Sequence, residues 1–141
     1  MKNIKIYLFS AMVMAFVATG CKKPDNTRPV ISIEAPTEGQ GFPQGGEIIF
    51  KATFSDDRAL SSYKIDVHGA FDGHGHETQT DVEWVEFFIG ELSGEQEIVE
   101  RKIPVPVTAK TGPYHFLVKC IDEAGNETSS GDIDIVILQK Q

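Results

Sequence analysis

The side chains in this sequence best suited to chemistry are its four histidines. His68, His74 and His76 lie close together, the last two in the stretch Asp72-Gly73-His74-Gly75-His76, while His115 is distant in the chain. Imidazole nitrogens suit zinc, copper, nickel or iron. With no usable Cys or nearby Met, Zn²⁺ or Cu²⁺ fits better than soft Cu(I). Asp72 and Glu77 could add ligands or orient the ligand imidazoles through their second nitrogen. The set has no zinc-finger or H-E-x-x-H spacing, so a solvated Gly/His turn beside ordinary exposed strand histidines is the competing reading.

A second group is acidic. Asp56 and Asp57 occupy one turn, and Asp122, Glu123 and Asn126 another. Carboxylates with an amide oxygen are hard donors of the kind Ca²⁺ takes, so Asp56, Asp57, Asp122 and Asn126 form a candidate calcium pole. Asp and Asn also cap their own turns, and that simpler role competes. Nothing points to catalysis: Ser61, Ser62 and Ser93 lack a nucleophile elbow, and Glu83 and Glu86 read as a solvated strand face. No enzyme and no organic cofactor are expected. Trp84 and Phe88 could offer an aromatic platform to a sugar, but a Trp beside Val85 and Phe87 reads more simply as core.

Whether these groups meet depends on the elements that carry them. From Pro29 onward apolar residues recur with period two. Strands are expected at Val30–Ile33, Ile48–Phe54, Tyr63–Val67, Trp84–Ile89, Ile98–Val105, Tyr114–Ile121 and Ile133–Ile137. The fifth, with Pro104 and Pro106, suits a sheet edge. Turn signals separate them at Gly39–Gly46, Ser55-Asp56-Asp57, Gly73 and Gly75, Ser93-Gly94, Thr111-Gly112-Pro113 and Gly125-Asn126. About seven short strands without a helix predict a single immunoglobulin-like antiparallel β-sandwich over residues 29–141.

That fold gives the histidines a geometry. Strands three and six of such a sandwich are antiparallel neighbours, so the end of one faces the start of the other. His68 is out of phase with inward Tyr63, Ile65 and Val67, and His115 with Tyr114, Phe116 and Val118. Both are therefore expected on the outer face at the same end, where cross-strand Cβ atoms lie about 4.5–5.5 Å apart. His74 and His76 sit on the loop leaving that end. The acidic turns fall at the opposite end.

Residues 1–20 have the parts of an export signal: Lys2 and Lys5, an apolar run from Ile6 to Val17, and the small exit Ala18-Thr19-Gly20. Followed by Cys21, this reads as a lipobox, with Cys21 becoming the acylated N-terminus. The apolar run is shorter than the about 20 residues a membrane span needs. Residues 21–28 then read as the lipidated Cys and a polar tether. The chain carries a formal net charge of −8, and removing Lys2 and Lys5 makes it more negative, which disfavours a nucleic-acid partner. Of two cysteines, Cys21 is committed to lipid, so Cys120 has no intramolecular partner and reads as a small buried hydrophobe. Lys22 and Lys23 leave no strongly acidic signal after Cys21. The periplasmic face of the outer membrane is favoured over the cell surface.

Two stretches carry a family resemblance. Val118 to Ile121 leading into Asp122-Glu123-Ala124-Gly125-Asn126 is similar to the last hairpin of bacterial Ig-like domains, and Phe54 to Ile65 to their B-to-C passage. With the lipobox, Asp72 to His76, Trp84 and Gly112-Pro113-Tyr114-His115-Phe116, the chain resembles the uncharacterised Ig-like lipoproteins of Bacteroidota, domain-of-unknown-function family 4625. The resemblance implies fold and envelope location and no activity. The antibody hallmarks are absent: Cys120 lacks a partner, and Tyr114 stands too far ahead of it for a tyrosine corner. The expected function is a non-enzymatic envelope lipoprotein, anchored by lipid, that binds a divalent transition metal through His68, His74, His76 and His115. The alternative is an Ig-like adhesion module for glycan or another envelope protein.

Overall fold

The computed structural model of the protein describes residues 23–71 and 83–140. Among them, eight strands form two sheets: β1 (Val30–Ala35), β2 (Gln40–Pro43), β3 (Glu47–Ser55), β4 (Leu60–Gly69), β5 (Glu86–Glu91), β6 (Gln96–Pro104), β7 (Gly112–Asp122) and β8 (Glu127–Leu138). The order is β1-β3-β6 in the smaller sheet and β2-β8-β7-β4-β5 in the larger. The architecture is the predicted β-sandwich, and no helix among the described residues is long and apolar enough to cross a membrane.

The core follows directly from the alternation. β3 sends Ile48, Phe50, Ala52 and Phe54 inward, β4 sends Tyr63, Ile65 and Val67, and β7 sends Tyr114, Phe116, Val118 and Cys120; all are buried. Rings from the two sheets meet at the centre, Phe50 on Phe116 with centroids 5.8 Å apart and Phe54 on Tyr63 at 5.3 Å. Proline-bearing β6 lies at a sheet edge, where a missing backbone donor is tolerated.

Two features depart from expectation. The Gly39–Gly46 stretch, read as a turn, contains β2, which pairs with β8 and does so in parallel, so the sandwich is not wholly antiparallel. Four residues with one inward side chain, Phe42, leave too little alternation to reveal a strand; the ladder to β8 supplies what the pattern lacks. The second concerns Tyr114. Its hydroxyl donates to the Lys110 carbonyl at 2.9 Å, across the turn entering β7. This is the hydrogen bond of a tyrosine corner, made although the spacing to Cys120 differs from that of antibody domains.

Cys120 is wholly buried. Burial, reinforced by the charges of Asp56 and Asp122, pushes its thiol up to about 11. The thiolate is the reactive species, so a thiol reagent at neutral pH should leave Cys120 unmodified in the folded chain and label it only on unfolding. Fast labelling under native conditions, followed by mass spectrometry, would contradict this packing.

Candidate functional site

β4 and β7 are antiparallel neighbours, and their register sets His68 directly opposite His115. Each is flanked along its strand by buried residues, Val67 on β4 and Tyr114 and Phe116 on β7, so both imidazoles stand on the outer face of the larger sheet. Their ring centroids are 5.5 Å apart with planes inclined by 59°. Two imidazoles bound tetrahedrally to one ion at 2.0–2.1 Å would have centroids about 5 Å apart, a separation close to the one this pair shows.

Each imidazole is also held by a carboxylate. His68 Nδ1 lies 3.1 Å from Asp66 Oδ1, two residues back on the same face of β4. His115 Nδ1 lies 2.9 Å from Asp134 Oδ1, its register partner on β8. An ionised carboxylate only accepts hydrogen bonds, so Nδ1 is the donor in each contact, and in a neutral imidazole so held the Nε2 lone pair is the one left for a ligand. That is the arrangement by which second carboxylates orient metal-binding histidines. Asp66 and Asp134 were not anticipated for this role. The i−2 spacing of Asp66 to His68 is a legible signal, since residues two apart share a face; the β8 register that brings Asp134 is not.

His74, His76, Asp72 and Glu77 lie outside the described residues. The chain bearing them departs after Phe71 and returns at Glu83-Trp84, and both ends pack on one ring. Phe71 meets Tyr114 edge-on at 5.5 Å, and Trp84 meets it at 6.0 Å. The Trp84 backbone N–H donates to the Tyr114 hydroxyl at 3.3 Å. Gly112 matters here: its φ of +132° disfavours a side chain, and a Cβ would stand 2.7 Å from the Phe71 ring. Trp84 itself is only 7% exposed, so it is core and offers no platform to a sugar.

The acidic turns lie at the other end of β4, where Leu60 is paired with Asp122. Asp122 is buried and accepts from the Asn126 N–H at 2.8 Å and the Asn126 amide at 2.7 Å. Burial disfavours its charge, but these bonds and the N–H groups of Ala124 and Gly125 outweigh it and hold its carboxyl below the ordinary range. Asp56 Oδ1 accepts from the N–H groups of Arg58 and Ala59, both at 2.9 Å. Asp57 is exposed and accepts from Thr27 Oγ1 instead. The third carboxylate near Asp56 and Asp122 is Asp25, from the segment read as tether: one oxygen of each lies within 4.8 Å of the others. Periodicity does not reveal Asp25, because residues 23–29 have no regular structure. Its side chain is nonetheless only 7% exposed, against Arg58.

Similarity to known proteins extends the description of the fold. No curated protein matches this sequence. Among solved structures, the chain is similar to the fibronectin(III)-like modules of Clostridium thermocellum CbhA, at 16% identity over 78% of this chain and 96% of that one, with a TM-score of 0.45. It is similar to a DUF4466 family protein from Parabacteroides merdae, at 11% identity and a TM-score of 0.51, over 77% of this chain and 45% of that one. A family 123 glycoside hydrolase from Clostridium perfringens gives 13% identity and a TM-score of 0.51, over 81% of this chain and 28% of that one. This chain thus spans less than half of the last two, and at such identities the likeness is one of fold alone. Residues 18–138, from the exit of the signal-like segment to the end of β8, match a family as a whole, and the chain belongs to it: Domain of unknown function (DUF4625).

Proposed function

We propose that this protein is a lipid-anchored envelope lipoprotein whose sandwich binds a divalent transition metal, Zn²⁺ or Cu²⁺, on the outer face of the β4–β7 pair. The fold, an Ig- or fibronectin-like sandwich, is consistent with an interaction module. The observation that carries the metal reading is the His68–His115 pair, two imidazoles at 5.5 Å each with Nδ1 on a carboxylate. His68 and His115 would be ligands through Nε2, Asp66 and Asp134 their positioning partners, and Cys21 the acylated residue. β4 runs from Leu60 beside Asp122 to Gly69 beside Tyr114, so the pair stands roughly 25–30 Å from the end where residue 25 docks. A lipid at Cys21 would therefore leave the histidines facing away from the membrane, open to a soluble ion or a partner that delivers one.

Calorimetry with Zn²⁺ or Cu²⁺ on the full chain in detergent tests the reading. His68→Ala and His115→Ala are each expected to weaken binding at least about tenfold, and Asp134→Asn by about tenfold, the usual loss when an orienting carboxylate is removed. Binding should fall away in acid, because the ligand nitrogens must be unprotonated. No binding tighter than millimolar at neutral pH would overturn it.

A second reading has its own observation. Phe87 and Ile89 are 53% and 77% exposed on β5, an edge strand. An apolar edge suits another envelope protein that adds a strand, whereas buried Trp84 argues against a glycan.

A further inference from the structure

We infer that Asp25, Asp56 and Asp122 form a calcium site that clamps the segment preceding β1 to the sandwich. Three carboxylates from distant parts of the chain converge, one oxygen of each within 4.8 Å of the others. Proximity alone would only describe an acidic cluster. The decisive feature is Asp56 Oδ2, which is completely buried and has no hydrogen-bond partner. An anionic oxygen withdrawn from water without a partner is strongly unfavourable, and it belongs to a carboxylate that converges with two others that are themselves almost wholly buried, Asp25 and Asp122.

The groups already present do not neutralise this charge. Arg58 approaches Asp25 Oδ2 at 3.4 Å through Nε, a long contact from a side chain that is 43% exposed. Asn126 serves Asp122, the Thr27 N–H serves Asp25 Oδ1, and of the two Asp56 oxygens backbone N–H groups reach only Oδ1. The donors are all oxygen, which favours a hard cation, and Ca²⁺ accepts irregular carboxylate sets completed by water. Asp57 takes no part, being turned to Thr27.

The bound ion would join residue 25, the β3–β4 turn and the end of β7. Its consequence is mechanical: the chain before Pro29 becomes part of the domain when calcium is present. The site shares no residue with the histidine pair, so failure of either leaves the other standing.

The test is calcium titration of the full chain in detergent after EDTA treatment, read by calorimetry and by thermal unfolding. The expected Kd is about 10⁻⁵–10⁻³ M, and the melting midpoint rises by roughly 10 °C at a hundredfold excess over Kd. Asp56→Asn is diagnostic because its two effects have opposite signs. Its retained Oδ1 still caps the turn, while its amide replaces the orphaned oxygen with a donor. Without calcium it should melt a few degrees above the native chain, and calcium should no longer raise the midpoint. Asp25→Asn should melt like the native chain in EDTA and bind calcium at least about tenfold more weakly. An unchanged native midpoint in 10 mM Ca²⁺ would overturn the site, as would full calcium binding by Asp25→Asn. A capping role alone predicts that Asp56→Asn responds to calcium like the native chain, which would also overturn it.

Discussion

Replacing Asp122 with Ala is expected to destabilise the fold by about 3 kcal/mol and to lower its melting midpoint by roughly 10 °C. The carboxylate is the hub of the turn between β7 and β8. It accepts from both the backbone and the side chain of Asn126, with Ala124 and Gly125 aimed at the same group. Hydrogen bonds to a charged group contribute about 1.5–3 kcal/mol, and Ala would take the acceptor from the backbone and the side chain of part-buried Asn126 at once. The turn also holds neighbouring backbone, since the Asp122 N–H donates to the Asn126 carbonyl and the Glu123 N–H to the Ala59 carbonyl.

The same residue gives a pH signature whose sign follows from its environment. Its folded carboxyl lies below the ordinary range, so the folded state binds the proton more weakly than the unfolded chain. The stabilisation is then fully present above the unfolded carboxyl value of about 3.9 and is lost as pH falls through the lower folded value. Chemical denaturation of the native chain should weaken below about pH 4, and Asp122→Ala should be less stable at neutral pH yet flatter across that acid window. An alanine variant within 1 kcal/mol of the native chain would show that the turn stands without its hub.

The sandwich and the histidine pair were largely legible because both depend on period-two alternation. Tyr63, Ile65 and Val67 point to the core, so His68 cannot; the same phase argument holds for His115 against Tyr114 and Phe116. Adding the Ig topology was enough to set the two imidazoles opposite each other. What escaped the pattern depends on long-range register or on irregular backbone. Asp134 reaches His115 only through the β7–β8 ladder, and β2 exists because β8 offers it an edge. Asp25 joins Asp56 and Asp122 from a stretch with no periodicity at all. Its local signal is an Asx-type turn, in which its carboxylate accepts from the Thr27 N–H at 3.0 Å, and such a turn says nothing of where the residue docks. Residue type and turn position alone place Asp57 and Asn126 in the acidic pole, whereas in the structure Asp57 accepts from Thr27 and Asn126 donates to Asp122.

The second large effect is expected at Tyr114, where stability and the histidine pair are coupled. Its ring is fully buried and touches both ends of the segment carrying His74 and His76, through Phe71 and Trp84. Its hydroxyl bridges two backbones, donating to Lys110 and accepting from Trp84. Tyr114→Phe keeps the ring and removes only that oxygen, so buried polar groups lose a partner without a cavity being made. Such losses cost about 1–3 kcal/mol, and about 2 kcal/mol is expected by chemical denaturation. The added consequence follows from position: Tyr114 precedes His115 and anchors the turn through which β7 begins. If the corner orients that turn, Tyr114→Phe should also weaken Zn²⁺ or Cu²⁺ binding several-fold, while calcium binding some 25 Å away along the same strands stays unchanged. Equal loss at both ends would mean that the substitution loosens the whole sandwich. Selective loss would locate its effect at the entrance to β7, where one hydroxyl ties the strand bearing His115 to the chain returning at Trp84.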